Sequence, residues 1–273
     1  MGRVTTRRPI VRRTSNGTVR RPDTLAVEEP MQIRVGGAPL TITMRTPGND
    51  MELVLGFLLS EAIVRDRSDV ASIRYCDGVD ADGANTYNVL EVTLRDGAAV
   101  DGSVNGRNFL TTSACGVCGK SSLDEVRTRS RFDLHRTDLT VASSVLARMP
   151  DTLRAGQRVF DATGGLHAAG LFTPAGELLA VREDVGRHNA VDKVIGWAVE
   201  NNRIPAADCV LIVSGRASYE LVQKAVMAGI PVLGAVSAPS SLAVDLAEES
   251  GMTLAGFVRG DSMNVYTGGN RID

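Results

Sequence analysis

Hydrophobic residues follow two rhythms along this chain. Val27, Met31, Ile33 and Val35, then Leu40, Ile42 and Met44 beyond Gly36-Gly37, alternate with polar residues between Leu25 and Thr46. A period of two around a glycine pair predicts a β-hairpin. Asn49 is then placed to cap a helix, and Met51, Val54, Leu55, Leu58, Leu59 and Ile63 give that helix an apolar face. Strands are expected at 70–76 and 87–95. A glycine-rich loop from 96 to 120 is long enough to suggest function rather than connection. Helical patterns follow at 122–128 and 140–149.

Beyond residue 160 the rhythm changes. Segments 167–172 and 177–182 flank Thr173-Pro174-Ala175-Gly176 and predict a second hairpin. Helices are expected at 189–200, 219–228 and 241–249. Between them lie strands at 208–214, 231–237 and 253–258. The run Cys209, Val210, Leu211, Ile212, Val213 is continuously apolar, as in a strand covered on both faces. Strand–helix alternation of this kind predicts right-handed crossovers and an α/β fold, a mixed sheet covered by helices. The expected organisation is a tail at 1–22, a smaller N-terminal α+β part at 23–138 and an α/β core at 139–273.

Charge changes the picture at one end only. Residues 1–21 hold seven arginines and no acid. This leaves 23 basic against 32 acidic groups in the remainder, a net of −9. The tail has few apolar side chains to bury and is expected to be a disordered, solvated extension. No aromatic is interleaved and the body would repel phosphates, so nucleic acid is not expected as a partner. No apolar run reaches the ~18 residues of a membrane span, and the arginines precede no apolar signal core. Four cysteines in no even framework suit a reducing cytoplasm.

Three segments could carry chemistry. Thr111-Thr112-Ser113-Ala114-Cys115-Gly116-Val117-Cys118-Gly119-Lys120 puts two thiols beside a lysine, ahead of a capping-box pattern at Ser121/Ser122 and Asp124/Glu125. A cation and a helix N-terminus both favour thiolate, so this segment is suited to present a nucleophilic sulfur. Strand ends at Ser214-Gly215-Arg216-Ala217-Ser218, Ser237-Ala238-Pro239-Ser240-Ser241 and Arg259-Gly260-Asp261-Ser262 lie where open α/β sheets bind ligands. N–H groups and arginines there suit a phosphorylated or nucleotide ligand, although each serine could equally be a helix cap. Glu183–Lys193 is dense in functional groups, and His188 and Asp192 lie one helical turn apart, where the carboxylate could orient the imidazole. His135, in an arginine-rich stretch, is assigned no chemistry.

Several alternatives fail on spacing. Gly119-Lys120-Ser121 lacks the upstream glycine of a P-loop, since that position is Ala114. A structural zinc site would need a second ligand pair, and Cys76 and Cys209 are isolated. A zinc deaminase would need a His-x-Glu and a proline before the first cysteine. The loop is too long and too rich in glycine for thioredoxin-like chemistry.

The sequence resembles the formate dehydrogenase accessory sulfurtransferases, the FdhD family. The matching segments are 111–120, Thr163-Gly164-Gly165-Leu166-His167-Ala168-Ala169, 183–193, 214–220, 237–243 and 257–262, in order over about 25–266. The resemblance implies a cytoplasmic protein with a cytidine-deaminase-like core that has lost the deaminase zinc site and holds no structural metal. It implies a sulfurtransferase that takes sulfur from a cysteine desulfurase as a persulfide on Cys115, with Cys118 beside it. The sulfur passes to the molybdenum bis-guanine-dinucleotide cofactor before that cofactor enters formate dehydrogenase. Phe257, Val258, Arg259, Gly260, Asp261 and Ser262 would contact the cofactor, with Ser214, Arg216, His188, Lys193 and Ser237 completing the site. GDP would be a partial mimic, and a homodimer is implied. The alternative is a non-enzymatic chaperone that binds the same cofactor while its cysteines serve structure or redox sensing.

Overall fold

The computed structural model describes residues 4–76, 86–95 and 130–273. Cys115, Cys118 and the helix expected at 122–128 lie outside the described residues. The chain begins with a correction. The expected disordered tail is a two-stranded ribbon, β1 (Thr5–Thr14) and β2 (Gly17–Ala26), in register from Thr5↔Ala26 to Thr14↔Gly17. Burial alone misjudged it. Thr5, Thr6, Ile10, Val11, Thr18 and Val19 favour extended backbone, and Gly17 takes a φ of 127° at the tight turn. Val27 N–H donates to the Val4 carbonyl and closes the foot of the ribbon.

The N-terminal hairpin forms as its alternation requires, with β3 (Glu29–Val35) and β4 (Ala38–Arg45) joined through Gly36 and Gly37, both at positive φ. Helix α1 (Asp50–Ser60) follows, then β5 (Val70–Tyr75) and β6 (Val89–Leu94). The sheet order is β4-β3-β6-β5, with β3 and β6 parallel. Asn49 stands before α1 but does not cap it. Its backbone is left-handed and its side chain bonds no helix N–H. Asp50 takes over locally: one oxygen accepts from Gly48 N–H, while the other accepts from Arg45 and Tyr75. Met51, expected on the apolar face, is exposed.

The second part contains α2 (Ser143–Ala155), α3 (Arg158–Thr163), β7 (His167–Phe172), β8 (Leu178–Asp184), α4 (Arg187–Glu200) and β9 (Val210–Val213). It continues with α5 (Tyr219–Met227), β10 (Val232–Ala235), α6 (Ser241–Glu249), β11 (Thr253–Arg259) and β12 (Ser262–Thr267). The six strands run β12-β11-β10-β9-β7-β8. β9, β10 and β11 are parallel, β7 is antiparallel to both β8 and β9, and β12 is antiparallel to β11. The mixed sheet agrees with the expectation. α3 and β12 were not anticipated.

Both faces of the sheet are covered. Val210 and Ile212 pack with Leu146, Met149 and Leu153 of α2, while Leu211 and Val213 join the opposite cluster with α1, α4 and α5. That cluster runs from Met31 and Ile33 to Leu254, so the N-terminal sheet and the six-stranded sheet share one core. The contact is made at two glycines. A Cβ on Gly56 would lie 1.9 Å from the Asp192 carbonyl oxygen, and one on Gly196 would lie 1.7 Å from that of Glu52. Only bare backbone lets α1 and α4 approach so closely.

Candidate functional site

β9, β10 and β11 point their carboxyl ends at one edge of the sheet. The turns leaving them lie side by side. Ser237 N–H donates to the Gly215 carbonyl, Ser240 N–H to that of Ala217, and Phe257 N–H to that of Ser237. Ala217 and Pro239 form a parallel bridge. The three strand-end segments read from sequence are therefore one continuous rim.

The antiparallel strands complete it. Because β7 runs against β9, its first residue, His167, arrives at the same edge as the last residues of β9. β8 runs back beside β7, so Asp184 lies opposite His167 and α4 starts at the rim with Arg187 and His188. His167, Arg187, His188 and Arg216 thus form one electropositive group. The His167 ring lies against Gly215: a Cβ there would stand in ordinary contact, 3.4 Å from His167 Nδ1. Burial, then the cations Arg187, His188 and Arg216, hold the His167 pKa below its usual value, with Asp184 opposing. His167 is therefore kept neutral beside permanent positive charge, a setting that an anion would reverse.

The expected serines divide. Ser214 Oγ accepts from Ala168 N–H at 2.9 Å and ties β9 to β7. Ser240 Oγ caps α6 through Ala243 N–H. Ser218 makes no side-chain cap to α5, and its Oγ lies 3.4 Å from His188 Nε2. The same ring nitrogen is 3.6 Å from Glu220 Oε2. That contact is the main reason the Glu220 carboxyl falls to about 2.

Two expectations about α4 are corrected. Asp192 does not orient His188. Its carboxylate accepts from Lys224 Nζ at 2.7 and 2.8 Å and from Ser60 Oγ at 3.1 Å, inside the core. Lys193 is not on the rim either. It is buried, paired with Asp184 at 2.7 Å, and donates its other hydrogens to the carbonyls of Thr46 and Glu183. All three N–H groups are engaged, which leaves none for a ligand.

The 257–262 segment is partly as expected. Val258 turns into the core under α2, so its side chain contacts no rim ligand. Phe257, Arg259, Gly260, Asp261 and Ser262 are exposed. Phe257 holds a left-handed backbone, φ 53°, with its ring outward. A non-glycine residue held in that region is strained, and such strain concentrates at ligand sites. An outward ring at the same edge as Arg216 and Arg259 is able to stack on a planar group. Arg187 and His167 were missing from the expected site. His167 after Gly164-Gly165 was a usable signal, but its place on the rim follows from the antiparallel course of β7.

Among the described residues no cluster of three or more His, Cys, Asp or Glu side chains could hold a metal. Cys209 lies buried at the opposite end of β9 from the rim, and burial pushes its thiol up to about 12. It is not a nucleophile. No helix of the described residues is long and apolar enough to cross a membrane.

A family model described as the FdhD/NarQ family matches residues 26–273. The sulfur carrier protein FdhD of Nocardia farcinica is 66% identical over 271 residues, covering 99% of this chain and 96% of its own. That of Mycolicibacterium paratuberculosis is 62% identical over 269 residues, covering 98% and 99%. The Sulfolobus acidocaldarius protein of the same name is 46% identical over 251 residues, 92% of each chain. A crystal structure of a candidate formate dehydrogenase accessory protein from Desulfotalea psychrophila superposes with a TM-score of 0.77 at 21% identity. It covers 99% of this chain and 100% of that one, a likeness of fold.

Proposed function

The chain belongs to the FdhD/NarQ family, and from that premise we propose that it is a sulfurtransferase serving formate dehydrogenase. In this reading Cys115 receives sulfur from the persulfide of a cysteine desulfurase. The Cys115 thiolate attacks the terminal sulfur; the bond from that sulfur to the donor cysteine breaks, and the donor leaves as thiolate. The acceptor is the molybdenum bis-guanine-dinucleotide cofactor, bound as substrate. Delivering the sulfur as sulfide takes two electrons. Cys118 supplies them by attacking the inner sulfur and closing a disulfide with Cys115, which an external thiol then reduces.

The observation that carries the reading is the rim. His167, Arg187, His188 and Arg216 gather permanent and switchable positive charge beside N–H-rich turns, with Phe257 outward at the same edge. Pyrophosphates need the first and a guanine ring the second. Arg259, Ser214, Ser218 and Ser237 extend the polar lining. GDP is accordingly a partial mimic of the substrate. The chain works as a homodimer in this reading, and its six-stranded sheet is of the cytidine-deaminase kind.

The test is cyanolysis after incubation with a desulfurase and cysteine. Wild type should carry labile sulfur that Cys115→Ala lacks, and only the wild type should restore formate dehydrogenase activity in a deletion strain. Full complementation by Cys115→Ala would overturn the sulfur-carrier role. If that variant complements and still binds GDP, the chain is a cofactor chaperone instead.

A further inference from the structure

Ser218 stands where α5 needs a cap and withholds one. Its backbone is extended, φ −95° and ψ 166°, and its side chain bonds none of the helix N–H groups. The hydroxyl is engaged by His188 and Glu220 instead. Bonds from His188, from its own backbone N–H and from Ser218 hold the Glu220 carboxyl down at about 2, against the upward pull of burial. An ionised carboxylate only accepts, and a serine hydroxyl has one hydrogen to donate. Ser218 donates it to Glu220. The hydrogen between Ser218 Oγ and His188 Nε2, 3.4 Å apart, therefore comes from the imidazole. Glu220 Oε2, 3.6 Å from the same nitrogen, requires the same direction. Nε2 carries the hydrogen, and in the neutral ring Nδ1 carries the lone pair.

Nδ1 is the ring's open side. Among the described residues it meets no hydrogen-bond partner, and it is not one of the sealed polar atoms. Its neighbours on the rim, Arg187 and Arg216, can only donate. Arg187 Nε is sealed without a partner among the described residues, which marks this corner as one that a ligand completes. The arginines suit the phosphates of a nucleotide, but an ionised diphosphate offers no hydrogen to a neutral Nδ1. The nucleoside does. We infer that Glu220 and Ser218 are positioning residues: they fix His188 in the tautomer whose Nδ1 accepts a hydrogen from the nucleoside, either a sugar hydroxyl or a base N–H. The nucleoside contact rests on the nucleotide reading of the rim. The tautomer does not.

The chain has three histidines, His135, His167 and His188. NMR spectra of nitrogen-labelled histidine at about pH 8.5, above the ordinary imidazole range, resolve the tautomer of each. His188→Gln identifies the signal of interest. Wild type should show Nε2–H at His188. Glu220→Ala should shift it toward Nδ1–H, and Glu220→Gln, which keeps an acceptor oxygen, should restore it. Thermal scans establish that the variants fold, and Ser218→Ala reads the same shift should Glu220→Ala not fold. In titration calorimetry GDP affinity should fall about 3- to 10-fold in Glu220→Ala, the loss of one neutral hydrogen bond. Pyrophosphate affinity should not fall, because the substitution removes a negative charge. Dideoxy-GDP separates a sugar hydroxyl from a base N–H as the donor. Nδ1–H in the wild type, an unchanged tautomer in Glu220→Ala, or equal losses for GDP and pyrophosphate would overturn the inference. A wild type that shows Nε2–H and binds no GDP would refute the nucleotide reading of the rim instead.

Discussion

Within one short segment, 183–193, the chain supplies charges sealed in its core and, between them, a half-buried arginine and a histidine that reach the rim. Asp184 and Lys193 are sealed inside, and Asp192 is sealed with Lys224, each charge matched to an opposite one. Arg187 and His188, between them in sequence, stand at the rim with His167 and Arg216. The chemistry of the two groups is similar; their surroundings differ. A buried ion pair has already lost its water, so removing one partner strands a charge at a cost of about 3–5 kcal/mol. A rim cation keeps part of its water and gives up binding rather than folding when it is removed. The full use of Lys193's hydrogens separates a fold element from a site element here.

The comparison can be broken most directly at Lys193. Lys193→Ala should leave Asp184 buried without its partner and lower the melting temperature by roughly ten degrees, as calorimetry would show. A variant that melts normally yet no longer binds GDP would move Lys193 back to the site and erase the distinction. Arg216→Ala should do the reverse. GDP affinity should fall by about 10- to 150-fold, the loss of one charge-assisted contact worth about 1.5–3 kcal/mol. Its melting temperature should shift by no more than about 1 °C, and titration calorimetry beside a thermal scan reads both.

The smallest effect sharpens the rim itself. His167 titrates below its ordinary value in the free protein because burial and neighbouring cations disfavour its charged form. A bound phosphate favours that form and raises the pKa, so binding takes up a proton. GDP affinity should therefore rise several-fold as pH falls through the imidazole range, and His167→Asn should flatten that slope. An identical pH profile in the variant would remove His167 from the phosphate's surroundings.

Much of the architecture was legible from local pattern. Alternation around Gly36-Gly37 and the apolar run at 209–213 marked β3, β4 and β9, because a half-buried and a fully buried strand leave different traces. α6 was read to its ends, Ser241–Glu249. Where the reading failed, side-chain and cross-strand partners that composition does not register were the reason. Asn49 looked like a cap, but Asp50 was drawn to Arg45 and Tyr75. The arginine tail looked unstructured because composition registers burial and misses cross-strand pairing.

By itself the sequence determined most of the order of strands and helices, the family and the three strand ends rich in serine, glycine and arginine. Each of these depends on residues near one another along the chain. Tertiary structure decided that the strand ends form one rim, that an antiparallel β7 brings His167 to it, and that Val258 and Lys193 face inward. It also decided that α1 and α4 touch through Gly56 and Gly196. Those outcomes depend on strand order and on which side of an element meets the core, and packing sets both only when distant segments meet.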